Sequence, residues 1–334
     1  MNVRIGYKAS AEQFGPVDLL RFAELADELG FDSVAISDHL QPWTHHGGHA
    51  PYSLSWLGAA AQRTKRVTLG TSVLTPTFRH HPAVVAQAAA TLACLTPQRI
   101  WLGVGSGESL NESTLGVVWP DSAERFARLK EAVELMQRLW TEERVSFDGR
   151  FYSTRHATLY DRPPQPVPLL IAAAGPSAAR LAGRVADGMI CTSGKDMALY
   201  RDTLLPAFRD GAARTGRDAG SLQLAIEIKL SFDSDPRRAL ADTRNWAALA
   251  LSPEQKRDVE DPLEMERLAA DLPDEVVGSR WIIADDADSV VAGLKPYVEL
   301  GFTHLIFHAP GTHQERFLQL FASQVMPLLR GLSA

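Results

Sequence analysis

The hydrophobic positions of the chain fall into short continuous runs that are separated by longer amphipathic segments. Most of these runs are apolar at nearly every position, a pattern typical of parallel strands that are buried on both faces. Eight of them predict β-strands, at residues 3–8, 33–37, 66–73, 99–104, 168–173, 188–192, 224–231 and 303–308.

Segments with apolar residues at helical spacing follow nearly every predicted strand. Residues 17–29 are the clearest example, because the pattern ends at Gly30, a residue that commonly terminates helices. Further helices are predicted at residues 53–63, 82–95, 122–140, 176–186, 196–214, 286–299 and 313–331. Eight strand–helix units predict an α/β fold, a (β/α)8 TIM barrel. A doubly wound sheet is the alternative, and the absence of G-x-G-x-x-G after the first strand disfavours it.

Two segments interrupt the strand–helix repeat. Residues 141–167 predict a short β-hairpin followed by a proline-rich connection, and residues 232–280 contain helical pieces between the seventh strand and the last strand–helix unit. We interpret both as insertions into one barrel domain that spans residues 1–334.

The composition narrows the class of protein. A formal net charge of −6 argues against binding to nucleic acid or to an anionic membrane. No apolar run approaches the roughly 18–20 residues that span a bilayer, and residues 1–10 do not resemble a signal peptide. Cys94 and Cys191 each lie in an apolar stretch, so we expect both to be reduced core residues of a cytoplasmic protein.

Polar and glycine-rich residues concentrate where the predicted strands end. Active sites of (β/α)8 barrels form at the carboxyl ends of the strands, so these residues are the candidates for chemistry. They are Lys8, Asp38-His39 with Trp43, Ser72-Val73-Leu74-Thr75, Gly105-Ser106-Gly107-Glu108, Ala173-Ala174-Gly175, Thr192-Ser193-Gly194-Lys195 and His308.

Each candidate also has a structural interpretation. Asp38 is equally well explained as a helix cap. His39 could be a structural histidine, and Trp43 is more often a core residue, yet a histidine at a strand end suits proton transfer near neutral pH. Glu108 follows a glycine-rich stretch that would let a flat ligand approach the backbone closely, which favours a functional carboxylate.

Two groups of charged or metal-binding residue types need a separate interpretation. The sequence HHGGH at residues 45–49 contains two glycines that disfavour a helical pair of ligands, so we expect no metal. Lys195 precedes a predicted helix, where backbone N–H groups favour anions. Lys256 and Arg280 lie in or beside the second insertion, and they would form a phosphate pocket with Lys195 if the fold brings the three together.

With these residues in view, the chain resembles the F420-dependent glucose-6-phosphate dehydrogenase family, within the luciferase-like barrel superfamily. The resemblance runs almost end to end. The motifs that carry it are GYKASAEQF (6–14), SDHLQPW (37–43), GGHAPYSLSW (47–56), LGTSVLTPTFR (69–79), LGVGSGESLNE (102–112), DGMICTSGK (187–195), EIKLSF (227–232), DPLEMER (261–267), RWIIADD (280–286) and HLIFHAPG (304–311).

The resemblance implies an oxidoreductase that passes a hydride from a sugar 6-phosphate to coenzyme F420. It also implies a homodimer and a non-proline cis peptide at Ser72-Val73. His39 would act as the base and Glu108 as the acid, and which of the two is indispensable stays open. Trp43 would orient the substrate. The implied cofactor-binding residues are Asp38, Ser72, Val73, Thr75, Gly105, Ser106, Gly107, Ala173, Ala174 and Gly175, and the implied substrate-binding residues are Thr192, Lys195, Lys256 and Arg280.

The sequence departs from the family pattern at a few positions. Ala174 stands where a second glycine is expected, Arg257 where a histidine is expected, and the loop near Trp119 is shorter. Because of these differences, the sequence does not define which sugar phosphates the protein accepts. Two other functions are alternatives: an oxidoreductase that uses F420 or FMN on a non-phosphorylated alcohol, and a non-catalytic deazaflavin- or sugar-phosphate-binding protein. The second is disfavoured because a binding protein needs neither His39 nor Glu108.

Overall fold

The computed structural model describes residues 3–252, 254–256 and 259–331. Its strands are β1 (Arg4–Ala9), β2 (Ser33–Ile36), β3 (Thr68–Thr71), β4 (Ile100–Val104), β5 (Val145–Asp148), β6 (Ser153–Ala157), β7 (Leu169–Ala172), β8 (Gly188–Thr192), β9 (Gln223–Phe232), β10 (Ile282–Ala284) and β11 (His304–His308). All eight predicted strands are present, and their bounds differ from the expected ones by at most two residues.

Eight parallel strands close into a barrel. They follow one another in the order β9, β11, β1, β2, β3, β4, β7 and β8, and β8 pairs with β9 to complete the circle. The pairing of β1 with β11 joins the two ends of the chain, with Arg4 opposite His304. The predicted (β/α)8 barrel is therefore confirmed, and the doubly wound alternative is wrong because such a sheet stays open.

The helices surround the barrel. They are α1 (Pro16–Glu28), α2 (Ser53–Arg63), α3 (Pro82–Leu95), α4 (Ser109–Glu112), α5 (Ser122–Thr141), α6 (Pro176–Val185), α7 (Leu205–Ala213), α8 (Pro236–Asp242), α9 (Pro262–Ala270), α10 (Asp274–Gly278), α11 (Ala287–Glu299), α12 (Gln314–Leu320) and α13 (Met326–Arg330). Two π-helical turns, at Leu199–Leu204 and Phe321–Val325, lead into α7 and α13, within segments that the sequence predicted as continuous helices. Proline at the start of α1, α3 and α6 fits helix entry, since its missing N–H would lack an intrahelical partner there.

Both predicted insertions are present as secondary structure outside the repeat. The first is the antiparallel hairpin of β5 and β6, whose turn is held because Glu131 accepts hydrogen bonds from the backbone N–H groups of Arg150 and Phe151, at 2.8 and 2.9 Å. The second contains α8, a 3₁₀ segment at Thr243–Ala250, α9 and α10. Strand β10 pairs in parallel with the last three residues of β9. The sequence analysis missed it because three residues carry too little pattern to be recognised.

The two cysteines do not share the expected environment. Both are free thiols, and Cys191 is buried as expected. Cys94 lies on the exposed face of α3, so its expected place in the core is wrong. The apolar stretch around Cys94 misled the interpretation because α3 is rich in alanine and valine on more than the face that packs against the barrel. Within the described ranges, no helix is long and apolar enough to cross a membrane.

Gly70 of β3 provides a test of the packing inside the barrel. A methyl group built on Gly70 would overlap the indole ring of Trp101, which is buried in the barrel interior. We expect Gly70→Ala to lower the free energy of unfolding by about 1–3 kcal/mol, because an overpacked interior forces side chains to shift. Gly58→Ala is the control, since a Cβ in the middle of α2 meets only Leu92, at 3.9 Å. We expect this substitution to stabilise by about 0.5–1 kcal/mol. Denaturant unfolding measures both, and equal effects would contradict the packing.

Candidate active site

A cavity of about 1080 Å³ opens at the carboxyl ends of the barrel strands. The lining includes every residue that the sequence assigned to the site. These are His39, Glu108, Trp43, Asp38, Ser72, Val73, Thr75, Gly105, Ser106, Gly107, Ala173, Ala174, Gly175, Thr192, Lys195, Lys256 and Arg280. The fold thus brings together residues from five strand ends and from the second insertion, and their roles stay predictions.

The His39 imidazole lies between two carboxylates. Its Nε2 is 3.3 Å from Oε1 of Glu12 and 3.7 Å from Oε2 of Glu108. Its Nδ1 is 3.1 Å from the carbonyl oxygen of Gln41, an acceptor, and 3.3 Å from Nδ2 of Asn111, a donor, so Nδ1 has a partner in either tautomer. Both nitrogens therefore face acceptors. This arrangement suits a base, because the imidazolium formed by proton uptake can donate on both sides.

Glu12 was missed by the sequence analysis, although it lies within one of the quoted motifs. The carboxylate is buried, and its Oε2 accepts a hydrogen bond of 2.5 Å from the Ser37 hydroxyl. That oxygen is thereby fixed, and Oε1 faces His39. Glu108, by contrast, is half exposed in the cavity, so the two carboxylates beside His39 differ in their access to a ligand.

Asp38 caps no helix in the described part of the chain, which corrects the capping interpretation. Its Oδ1 accepts a hydrogen bond of 2.7 Å from Ser53, and its Oδ2 accepts one of 2.5 Å from Nη2 of Arg79. Helix α2 begins well after it, at Ser53, with Tyr52 in the capping position. Asp38 is instead a buried ion-pair partner at the cavity wall.

Glu112 lies behind this ion pair and is fully buried. Neither of its carboxylate oxygens has a hydrogen-bond partner among the described residues, and Nε of Arg79 is 3.8 Å from Oε1. Burial raises the pKa of Glu112, although the Arg79 charge opposes the effect. Glu112 follows Asn111, whose side-chain oxygen accepts a hydrogen bond of 2.8 Å from the backbone N–H of Leu40. The short helix α4 thus supports the loop that carries His39.

One wall of the cavity is built for the close approach of a flat group. The Ser72–Val73 peptide bond is cis, as the sequence resemblance implied. A side chain at Gly105 would come within 3.0 Å of the Val73 side chain, and Gly107 has a positive φ of 88° and lies against Thr75. Glycine therefore keeps this wall smooth. The N-terminus of α6, preceded by Ala173, Ala174 and Gly175, adds a site that favours anions.

Lys8 and Glu227 form an ion pair at the floor of the cavity. Nζ of Lys8 is 2.6 Å from Oε2 of Glu227 and donates a hydrogen bond of 2.6 Å to the carbonyl oxygen of Ser72. Oε2 of Glu227 also accepts a hydrogen bond of 2.9 Å from the Ser72 hydroxyl. Burial alone would raise the pKa of Glu227, but Lys8 and His308 outweigh it and hold this pKa well below its usual range. Glu227 therefore lies ionised behind the wall.

The predicted substrate cations meet in the same cavity. Lys195, Lys256 and Arg280 all line it together with Thr192. Burial, followed by the charge of Arg280, lowers the pKa of Lys195, and the same two causes lower that of Lys256 to about 8. These shifts indicate that the three cations are close enough to repel one another. Such a cluster is a site for an anion.

Trp43 links this cluster to the His39 side of the cavity. The Lys256 ammonium lies 5.2 Å from the centre of the Trp43 ring, a cation–π distance. The Trp43 ring is in turn 5.7 Å from the His39 ring. The loop of Trp43 is tied to helix α9, because Glu266 accepts four hydrogen bonds from Thr44, His45 and His46.

Sequence reasoning missed several lining residues, among them Glu12, Glu227, Lys229 and Asn111. Glu227 and Lys229 carried a usable signal, since they are charged residues at alternate positions of an apolar strand. Alternate positions of a strand share one face, which here is the barrel interior. Arg257, one of the departures from the family pattern, lies outside the described residues. In the described ranges, no cluster of side chains suited to hold a metal ion is found.

The chain is similar in sequence and in structure to several known proteins. A family model for luciferase-like monooxygenases matches residues 2–304. Two relatives named F420-dependent glucose-6-phosphate dehydrogenase are each 62% identical to this chain. The relative from Nakamurella multipartita matches over 330 residues, which cover 99% of this chain and 97% of its own. The relative from Beutenbergia cavernae matches over 328 residues, which cover 98% of each chain. A solved structure of an F420-dependent secondary alcohol dehydrogenase in complex with an F420-acetone adduct is similar with a TM-score of 0.93 at 32% identity, covering 98% of this chain and 99% of that chain.

The contacts of Glu266 predict that it holds the Trp43 loop in place. We expect Glu266→Ala to increase cleavage by a broad-specificity protease within residues 44–49 by roughly tenfold, because the loop loses four hydrogen bonds to one carboxylate. Glu264→Ala on the same helix is the matched control, since Glu264 pairs with Arg267 of its own helix. Mass spectrometry of the fragments measures the rates. Equal cleavage of both variants at this loop would contradict the assignment.

Proposed function

Because the chain belongs to the luciferase-like monooxygenase family and, with relatives 62% identical along nearly its whole length, to the F420-dependent glucose-6-phosphate dehydrogenases, we propose that it oxidises glucose 6-phosphate at C1 to 6-phosphogluconolactone. The hydride passes to coenzyme F420. The observation that carries this function is the presence, in one cavity, of a proton-handling group between two carboxylates and a cluster of three cations. The chain is therefore an oxidoreductase that acts on a CH–OH group.

The cavity fits the cofactor. The smooth wall formed by Ser72, Val73 and the Gly105–Gly107 stretch would hold the flat deazaflavin ring, because glycine leaves the backbone accessible there. Asp38 and Thr75 line the same cavity. Ala173, Ala174 and Gly175 precede helix α6, whose free N–H groups would hold the negatively charged tail. When bound, coenzyme F420 supplies the hydride acceptor.

Lys195, Lys256 and Arg280, together with Thr192, would bind the phosphate of the substrate. A phosphate monoester carries about −1.5 to −2 charges near neutral pH, and buried cations without full compensation favour such a partner. The cation cluster argues against a neutral, non-phosphorylated alcohol as the natural substrate. The two carboxylates around His39 argue against a protein that only binds its ligands.

His39 would take the proton of the anomeric hydroxyl. Its Nε2 would accept that proton, and the carboxylate of Glu12, 3.3 Å away, stabilises the resulting imidazolium. Glu108, half exposed in the cavity, would donate the proton that the reduced cofactor requires at its N1 side. Trp43 would orient the sugar between Lys256 and His39.

Two further properties belong to the proposal. A homodimer follows from the resemblance to the family, and size-exclusion chromatography with light scattering tests it. A cytoplasmic location fits two free thiols, which persist in a reducing compartment. The single-domain organisation of residues 1–334 also stays a prediction.

The direct test mixes the purified protein with oxidised F420 and glucose 6-phosphate. We expect the visible absorbance of F420 to bleach at a rate proportional to enzyme concentration. FMN and NADP in place of F420, and glucose or a simple secondary alcohol in place of glucose 6-phosphate, are the controls. Bleaching that is equally fast with a neutral alcohol would instead favour an alcohol dehydrogenase.

His39→Ala tests the base. We expect kcat to fall by roughly 10²–10⁴-fold, the usual contribution of a well-placed general base, with little change in the dissociation constant of F420. His49→Ala is the control, because His49 lies in the same loop region but is not part of the cavity lining. Unchanged turnover of His39→Ala at saturating substrate would exclude His39 as the base.

Lys256→Met tests the phosphate cluster. Loss of one charged hydrogen bond predicts a rise of roughly 10- to 100-fold in the KM for glucose 6-phosphate at pH 7, with a smaller effect on kcat. In the unsubstituted protein, KM should rise above about pH 8, because the lowered pKa of Lys256 lets its ammonium lose a proton there. This rise should be weaker in the variant. A variant with unchanged KM and the same pH profile would refute the role.

A further inference from the structure

Lys229 is a buried lysine that ends in the cavity and has no place in the assignments above. It lies on β9, is 4% exposed, and lines the same cavity as the three cations. Its Nζ donates a hydrogen bond of 2.8 Å to Oγ1 of Thr192, and its backbone N–H donates one of 2.8 Å to the Ser193 hydroxyl. The side chain is therefore fixed in the barrel interior, directly beneath Thr192.

The Lys229 ammonium is poorly compensated. It has three N–H donors, and Thr192 Oγ1 is the acceptor found for it among the described residues. Glu227, two residues earlier on the same strand, is engaged by Lys8 and Ser72. Burial lowers the pKa of Lys229 to about 8; Glu227 opposes this, whereas the charges of Arg280, Lys8 and Lys195 add to it. A buried ammonium in such surroundings is stabilised when an anion enters.

The environment of Thr192 shows where that anion would bind. Lys229 occupies a lone pair of the Thr192 hydroxyl oxygen, so the hydroxyl hydrogen is directed elsewhere. It currently reaches the carbonyl oxygen of Ser193 over 3.2 Å, a long hydrogen bond. An anionic oxygen between Lys195 and Arg280 would be a better acceptor for it.

We propose that Lys229 is a fourth cation of the phosphate pocket: its free N–H groups donate to the substrate phosphate, and it orients the Thr192 hydroxyl to donate to the same group. This inference deepens the proposed function and rests on it for the identity of the substrate. It gives Lys229 a role in specificity. A neutral alcohol would leave its N–H donors unpaired in a buried place, whereas a phosphorylated sugar satisfies them.

Lys229→Met is the test, because methionine keeps the length of the side chain and removes the charge. Replacing an uncompensated buried charge by an apolar group is expected to leave Tm unchanged or higher, which a purely structural lysine would not allow. We expect the dissociation constant of glucose 6-phosphate, measured by calorimetry without F420, to rise roughly 10- to 100-fold. The inhibition constant of inorganic phosphate should rise by a similar factor, and the dissociation constant of F420 should change less than twofold. Lys295→Met, an exposed lysine of α11, is the control and should leave all these values unchanged.

The outcomes separate this inference from the proposed function. If the unsubstituted protein binds glucose 6-phosphate but does not bleach F420, the proposed reaction fails, and weaker phosphate binding by Lys229→Met still supports the fourth cation. If the unsubstituted protein turns over normally and Lys229→Met has an unchanged inhibition constant for inorganic phosphate, the proposed function stands. The role of Lys229 as a fourth cation is then wrong. A raised KM for the sugar phosphate with unchanged inhibition by inorganic phosphate also overturns it, because Lys229 would then contact the sugar.

Discussion

The ion pair between Lys8 and Glu227 joins three strands of the barrel at the floor of the cavity. Lys8 comes from β1 and Glu227 from β9, and the same ammonium holds the carbonyl oxygen of Ser72, just after β3. Removing two charges from water is costly, and here the cost is offset by the additional hydrogen bond from the Ser72 hydroxyl to Glu227. Because Lys8 contacts both Glu227 and the Ser72 carbonyl oxygen, the ion pair holds the Ser72–Val73 segment at a defined place against the Gly105–Gly107 stretch.

Above this floor, the cavity separates two kinds of charge. Carboxylates gather around His39, where we propose that protons are transferred, and one of them accepts a hydrogen bond from Ser37. Cations gather around Thr192, and the lowered pKa values of Lys195, Lys229 and Lys256 reflect burial and the repulsion of neighbouring cations. The first group is prepared for proton transfer without a ligand. The second is prepared for a ligand that brings negative charge. A substrate with one phosphate group would therefore bind in one orientation, with the phosphate at the cations.

The sequence was most informative where chemistry follows strand ends. The barrel could be predicted because its strands are continuously apolar, and His39, Glu108 and Lys195 could be chosen because they follow such runs. Glu227 and Lys229 were missed since they lie within a strand rather than after it, and β10 was too short to show a pattern. The convergence of Lys256 and Arg280 with Lys195 depends on how the second insertion folds over the barrel, which spacing along the chain does not encode. The sequence left a capping role open for Asp38 because its partners, Ser53 and Arg79, are distant in sequence.

We propose that one cavity binds the phosphate of the sugar at the cation cluster and its C1 beside His39. A crystal structure with F420 and 1,5-anhydroglucitol 6-phosphate, which lacks the anomeric hydroxyl and so cannot react, tests it most directly. We expect phosphate oxygens about 2.7–2.9 Å from nitrogens of Lys195, Lys256 and Arg280, with C1 between His39 and the cofactor ring. A phosphate bound away from these cations, or a sugar whose C1 points away from His39, would contradict it.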